Sequence, residues 1–340
     1  MKSASFRPHA TPAADEDRAA WLSVDWGNSS FRARLVESGS PPRIRWASRS
    51  DVGTLDAYRE WQETDHGKTT QSEAMRKALC RLITDALAEH DVSPDGIRAV
   101  VSGMASSSVG IESLPYAHCP FRLDGSALSY KTYPPDKTVP VRLEVMSGLC
   151  DDVSAMRGEE TLLVGLFAQS PESFDGKVRV VMPGTHAVHV SVTDGHAVGI
   201  RTFMTGELFE LLRKKSILAQ SVTGDTLSAE DARSDGFREG VQTALREGLP
   251  VSLFRVRARY LLHNRRAHEN TCFLSGLLIG TEAAVLATSN AEKILVAAPE
   301  RPAAFYRSAC EIAGVQRVRF VPPRELDTAI VYGQARLPTP

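Results

Sequence analysis

The sequence predicts an α/β fold of two domains with a cleft between them, and three observations lead there. Two hairpins of similar design occur, one early in each half of the chain, over residues 21–36 and 178–192. Short apolar runs of strand length are interleaved with longer stretches of helical spacing. The 340 residues suffice for two domains that each bury a core. The first domain is expected over residues 20–170 and the second over 171–340. Residues 1–19 mix Pro, Ala and charge without an apolar h-region, so a disordered extension is expected there, not a signal peptide.

In the first hairpin Leu22, Val24 and Trp26 share one parity, and Phe31, Ala33 and Leu35 repeat it after the corner. That period of two places one face on a core. The corner, Gly27-Asn28-Ser29-Ser30, combines a glycine with short polar side chains. It can serve simply as a turn, or bring main-chain N–H groups close to a phosphate. Asp25 precedes the corner, where a carboxylate can hold hydrated Mg²⁺ through water. The second hairpin runs into Pro183-Gly184-Thr185 and leaves through Val188, Val190 and Val192. It again offers a glycine and a hydroxyl at its tip.

Between the hairpins, residues 43–50 read as a strand and 51–68 as a polar connection. Residues 71–90 carry Ala74, Ala78, Leu79, Leu82, Ile83, Ala86 and Leu87 on one helical face. A buried strand at 97–102 ends in the small-residue loop 103–110, opened by Gly103 and Met104, a good place for ligand contact or a plain surface loop. Residues 115–140, rich in Pro, Tyr and Ser, read as strands and loop, and 141–146 as a strand. Residues 147–161 then crowd Asp151, Asp152, Arg157, Glu159 and Glu160 into a strand-to-helix junction. An acid there can act as general base toward a hydroxyl. Glu159 and Glu160 equally suit the positive end of the helix dipole.

Beyond the second hairpin a strand is expected at 197–202. Thr205 is the expected N-cap of the next helix, and Gly206 lets a ligand approach closely. Helices follow at 228–247 and 254–263. Residues 272–280 read as a strand entering a helix. Their Gly276 and Gly280, four apart, suit close helix packing or an adenine against backbone. Strands at 294–297 and 318–321 flank a helix at 301–312.

The formal net charge of −1 gives no electrostatic case for nucleic acid or an anionic membrane. No run approaching a transmembrane span of about 20 apolar residues stands out. Five scattered cysteines, without C-x-x-C spacing, argue against a disulfide framework or zinc site and point to the cytoplasm. A homodimer is compatible with all of this.

Paired glycine hairpins facing a cleft resemble the sugar kinase, actin and hsp70 superfamily, which implies a two-domain ribonuclease H-like (actin-like ATPase) fold. A closer resemblance rests on five blocks in order: Asp25-Trp26-Gly27, residues 156–161 (Met-Arg-Gly-Glu-Glu-Thr), Pro183-Gly184-Thr185-His186, residues 204–208 (Met-Thr-Gly-Glu-Leu) and residues 274–280 (Leu-Ser-Gly-Leu-Leu-Ile-Gly). Together they resemble the 2-dehydro-3-deoxygalactonokinase family over roughly residues 20 to 335. The chain departs from that family's pattern at Val188, where a lysine is expected, and around Ser108 and Ala298.

The resemblance implies ATP-dependent phosphorylation of the terminal hydroxyl of a 2-keto-3-deoxy sugar acid. Asp25 would serve Mg²⁺, and Asn28, Ser29 and Ser30 the ATP phosphates. Gly184 and Thr185 would clamp the other side, and Gly276 and Gly280 would line the adenosine pocket. Arg157 would hold the substrate carboxylate, with Gly103, Met104, Thr205, Gly206 and Glu207 as further substrate contacts. The base is expected at Asp152, with Asp151 and Glu160 as alternatives and helix capping as the competing role for Asp152. Other readings are a kinase for a different sugar acid or polyol, a nucleotide-binding regulator, and a phosphohydrolase of the same fold.

Overall fold

The computed structural model describes residues 20–65 and 67–337; the extension expected at 1–19 lies outside them. The first six-stranded sheet comprises β1 (Ala20–Trp26), β2 (Phe31–Glu37), β3 (Arg43–Ser50), β4 (Arg98–Gly103), β7 (Tyr130–Tyr133) and β8 (Arg142–Met146), in the order β3-β2-β1-β4-β8-β7. β1 runs antiparallel to β2 and parallel to β4, so Asp25 lies opposite Arg32 on one side and Ser102 on the other. The second sheet repeats this plan with β11 (Lys177–Met182), β12 (Ala187–Thr193), β13 (His196–Phe203), β14 (Lys293–Val296) and β15 (Val318–Phe320), ordered β15-β14-β11-β12-β13. This doubled three-hairpin-strands-plus-parallel-strands order is the ribonuclease H-like arrangement expected.

The strand β6 (Phe121–Arg122) joins the outer edge of the second sheet by pairing with β13, although it precedes residue 170 in sequence. A small sheet of β5 (Ala117–His118), β9 (Leu149–Cys150) and β10 (Ala155–Met156) lies beside it. The covering elements are therefore not divided at residue 170 in the way the central strands are.

Two helices fill the space between the sheets, α3 (Glu159–Gln169) and α10 (Pro323–Gln334). One continuous core runs from Trp21 and Val100 through Leu163, Val164, Ala329 and Val331 to Val178, Val180 and Leu295. The two helices meet backbone to backbone. A Cβ on Gly165 would sit 1.7 Å from the Ala329 carbonyl oxygen, and one on Gly333 would sit 2.0 Å from that of Thr161. Only glycine permits such contact.

The outer face of the first sheet is covered by α1 (Thr54–Thr64) and α2 (Gln71–Ala88), through a core of Met75, Leu79, Ile83 and Leu87. The second sheet is covered by α5 (Asp235–Glu247), α8 (Ala267–Ala287) and α9 (Glu300–Ile312). Beyond these lie α4 (Thr205–Lys215), α6 (Leu249–Ser252) and α7 (Arg255–His263).

Several elements differ from expectation. Residues read as a polar connection form α1, which buries only Thr54 and Ala57 and so carries little apolar periodicity. The α5 helix starts at Asp235, capped by the Ser234 hydroxyl, not at 228. The stretch 272–280 lies wholly inside α8, apolar all round because it is packed on every side. This helix is long and apolar enough to span a membrane by composition, but 72% of its most apolar window is buried in the protein. The C-terminal α10, absent from the expectation, begins at Pro323, directly after Pro322.

Candidate active site

The two hairpin tips are built alike. In the first, the Gly27 amide donates to the Ser30 carbonyl, closing the turn. The start of α1 seals the tip from behind: the Thr54 and Leu55 amides donate to the Gly27 and Asn28 carbonyls at 2.9 and 3.2 Å. Gly53 makes this approach possible, since a Cβ there would lie 2.0 Å from the Asn28 oxygen. With the carbonyls engaged, the amides of Asn28, Ser29 and Ser30 have no protein acceptor among the described residues. In the second half the start of α4 seals the tip: the Glu207 amide donates to the Thr185 carbonyl, and Gly206 lies flat on Gly184 and Thr185. Gly184, Thr185 and His186 are exposed. Both tips present backbone to an anion.

Asp25 stands at the end of β1, with Arg32 Nη1 3.5 Å from its carboxylate. Burial pushes the Asp25 carboxyl above its ordinary range, against the charges of Arg32 and Arg34. Beside it Gly103 and Gly158 meet with φ of 93° and 105°, backbone angles that favour glycine. A Cβ on Gly158 would lie 3.2 Å from Gly103 Cα, and one on Gly103 would lie 2.7 Å from the Trp26 carbonyl and 3.4 Å from Asp25 Oδ1. The cleft floor is thus bare backbone.

Gly158 also starts α3, so Glu159 and Glu160 fall at the helix terminus next to Asp25. Glu159 is part-buried, and its Oε2 accepts the Arg157 amide at 3.1 Å. Burial pushes its carboxyl up; the Asp25 charge does the same, while the Glu159 and Arg157 amides and the His186 ring oppose them. His186 Nε2 is 2.6 Å from Glu207 Oε2. Glu159 thus feels the charge of an acid of the first tip and the ring of a histidine of the second. Glu160 is buried behind it, held by the Gly158 amide and the Thr161 hydroxyl. Its carboxyl is pushed up to about 7, by burial first and then by the Glu159 charge. The Asp25 carboxylate, part-exposed at the end of β1, is a hard oxygen donor of the kind that fits Mg²⁺.

A cavity of about 570 Å³ opens from the second tip, lined by Thr185, Gly206, Phe209, Ser275, Arg301 and Phe305 among others. Phe209 and Phe305 give it apolar walls, and Arg301 stands exposed on α9. Sequence reasoning passed over these three. Their only signal was their place on helices following the second hairpin.

Other expected site residues are placed elsewhere. Asp151 is a turn residue: its Oδ1 accepts the Val153 and Ser154 amides and its Oδ2 accepts the Ile200 amide of β13 at 2.7 Å. Burial raises its carboxyl, but these amides outweigh it and hold it below the ordinary range. Asp152 is exposed on the same turn and caps no helix. Gly276 and Gly280 face α5, where Cβ atoms would lie 2.3 Å from the Phe237 carbonyl oxygen and 2.8 Å from Val241 Cα. They are packing glycines, and the neighbouring Ser275 reaches the cavity instead. Thr205 is the first residue of α4, not its N-cap, and its hydroxyl donates to the Glu282 carboxylate. Arg157 has both terminal nitrogens committed, to the Ser106 hydroxyl at 2.6 Å and the Leu114 carbonyl at 3.2 Å, and stacks over Tyr116. Its Nε, buried and without a partner among the described residues, and the second hydrogen of each terminal nitrogen remain available to a ligand carboxylate. Val188 is buried on β12, so the lysine expected at that position would point into the core, away from the cleft.

The sequence model of the 2-keto-3-deoxy-galactonokinase family matches residues 25–332. The 2-dehydro-3-deoxygalactonokinase of Escherichia coli (strain K12) is 30% identical over 273 residues, covering 78% of this chain and 80% of that protein. A relative from Rhizobium meliloti (strain 1021), named probable 2-dehydro-3-deoxygalactonokinase DgoK1, is 31% identical over 325 residues, covering 93% and 96%. A crystal structure from Sinorhizobium meliloti, described as a candidate 2-dehydro-3-deoxygalactonokinase, superposes with a TM-score of 0.73 at 29% identity, covering 93% of this chain and 96% of that one.

Proposed function

The chain belongs to the 2-keto-3-deoxy-galactonokinase family and is an ATP-dependent kinase of 2-keto-3-deoxygalactonate, and from that premise we propose how its cleft transfers the phosphoryl group. The carrying observation is that Asp25, Gly103 and Gly158 meet at one point, so that Glu159, the next residue at the start of α3, comes within the influence of Asp25 and of His186 on the second tip.

ATP lies with its adenosine in the cavity between Phe209, Phe305 and Arg301, and its phosphates reach the Gly184–His186 tip. The free amides of Asn28, Ser29 and Ser30 approach the phosphates from the other side. Asp25 would hold Mg²⁺. When bound, that ion neutralises charge on the phosphates. The sugar acid sits on the Gly103–Gly158 floor with its terminal hydroxyl toward Glu159. Arg157, fixed by Ser106 and Leu114, places a positive charge beside the acid's carboxylate, with its unpartnered Nε left to donate to it.

Glu159 is the general base. Its raised proton affinity suits it to take the hydroxyl proton as the oxygen bonds to the γ-phosphorus and the bond to the ADP oxygen breaks. His186, held by Glu207 at 2.6 Å, stands on the second tip where the phosphates arrive. The five cysteines are all unpaired, which supports a reducing compartment such as the cytoplasm.

Turnover with ATP and a panel of 2-keto-3-deoxy aldonates tests this reading. Stoichiometric ADP and a terminal phosphate ester are expected only with a sugar acid present. ADP release at the same rate without one would replace the proposal with ATP hydrolysis.

A further inference from the structure

Beneath the second tip lies a carboxylate that the phosphoryl transfer does not use. Glu282 of α8 is fully buried, with 0% of its surface exposed. Three donors from three other elements converge on its two oxygens. His189 of β12 contacts Oε2 at 2.8 Å, the Tyr306 hydroxyl of α9 donates to Oε1 at 2.7 Å, and the Thr205 hydroxyl at the start of α4 donates to the same oxygen. His189 and Tyr306 are themselves buried, and the Phe203 ring packs on His189 with centroids 4.6 Å apart.

Those elements are the walls of the cavity. The α4 helix supplies Gly206 and Phe209, α9 supplies Arg301 and Phe305, and β12 continues the tip that carries Thr185. The α8 helix supplies Ser275, seven residues before Glu282 and so on the same helical face. Burying a carboxylate is costly unless every lone pair is met. Here it is met by three donors, two of them on helices that line the cavity, α4 and α9, and the third on the strand that leaves the tip.

We propose that Glu282 is a positioning residue for nucleotide binding, a buried anchor that fixes α4, α8, α9 and β12 relative to one another and so preforms the cavity. This rests on the reading of the cavity as the ATP pocket. The nucleotide then does not have to gather these walls itself.

Calorimetry with ADP, together with KM for ATP and for the sugar acid, tests the proposal on Thr205→Val, Tyr306→Phe and Glu282→Gln. Each of the first two removes one donor and keeps the side-chain shape. Each should weaken ADP binding and raise KM for ATP about tenfold, near the low end of the worth of a hydrogen bond to a charged group, with KM for the sugar acid within about twofold. Glu282→Gln should cost more than either. If Glu282→Gln does not fold, the two single-donor variants carry the test. A fall in melting temperature with both KM values unchanged would overturn the proposal, because a merely structural knot behaves that way. Arg301→Ala separates the underlying reading: wild-type ADP affinity there means that the cavity is not the nucleotide pocket, and the proposal falls with it. Weakened ADP binding in Arg301→Ala, beside unchanged binding in Thr205→Val and Tyr306→Phe, keeps the pocket and rejects the anchor.

Discussion

The side-chain amide of Gln334, in the last turn of α10, donates to the backbone carbonyl of Val24 at 2.9 Å, one residue before Asp25. The same nitrogen lies 2.8 Å from the Ser102 hydroxyl, one residue before Gly103. A residue near the C-terminus thus ties the β1 and β4 ends that carry the first half of the cleft. Gln334→Leu keeps the volume and removes both bonds, leaving a buried carbonyl unpaired. A loss of about 1–3 kcal/mol in urea unfolding is expected, and kcat should fall with it. Unchanged stability would mean that water replaces the amide.

Asp25→Asn should lower kcat by at least a hundredfold while the protein melts no earlier than wild type. The second half follows from the raised proton affinity of Asp25: burial disfavours its charge, so removing the charge does not weaken the fold. A coupled assay and a thermal melt check the two parts. Turnover within tenfold of wild type would remove Asp25 from the mechanism.

Glu159→Gln should lower kcat by about 10²–10⁴-fold with KM little changed, the signature of a lost general base. Asp152→Asn, exposed on a turn, should stay within about twofold of wild type by the rule for ordinary surface sites. The reverse ranking would return the base to Asp152.

The buried Glu160 predicts a dependence of stability on pH. Its carboxyl is pushed from 4.5 up to about 7 in the folded protein. Between those values the folded state binds more protons than the unfolded one, so stability falls as pH rises through the window and is level above it. Glu160→Gln removes the group. The melting temperature of wild type relative to this variant should decline from pH 4.5 to 7 and then run parallel. A constant difference over the whole range would show that Glu160 titrates alike in both states.

Gly276→Ala should destabilise the fold by about 1–3 kcal/mol, the range for overpacking a filled core, by pushing α8 off α5. KM for ATP should change little in whatever protein still folds. A selective rise in that KM, with normal urea unfolding, would restore Gly276 to the nucleotide pocket.

The parts of this fold legible in the sequence are those with strong local periodicity. Both hairpins, α2 and most parallel strands follow from alternation or one-sided apolar spacing. The α1 helix escaped because it buries almost nothing, and the start of α8 because a continuously apolar run looks the same in a buried strand and a buried helix. The site was legible to the level of segments. Asp25, both tips and the acidic junction of the proposed site stand out in the sequence, but the choice of acid for the base does not. That choice depends on long-range partners: Asp151 is claimed by an amide of β13, 49 residues away in sequence, and Glu159 is turned inward by a glycine at φ 105°. Gly276 and Gly280 misled for a similar reason, since four-residue spacing of glycine serves a helix neighbour as readily as a ligand.

The bare-backbone crossing of α3 and α10 has a consequence for reach. Glu159 stands six residues from Gly165, about 9 Å along the helix at 1.5 Å per residue. A swing of about ten degrees pivoting at that crossing would carry the Glu159 end roughly 1.6 Å, more than the ~1 Å misplacement that can cost a hundredfold in rate. The close backbone contact, with the Gln169 side chain bonded across it to the Glu325 carbonyl and the Thr328 hydroxyl, resists such a swing, so the crossing is a clamp that holds the proposed base at the end of a short lever.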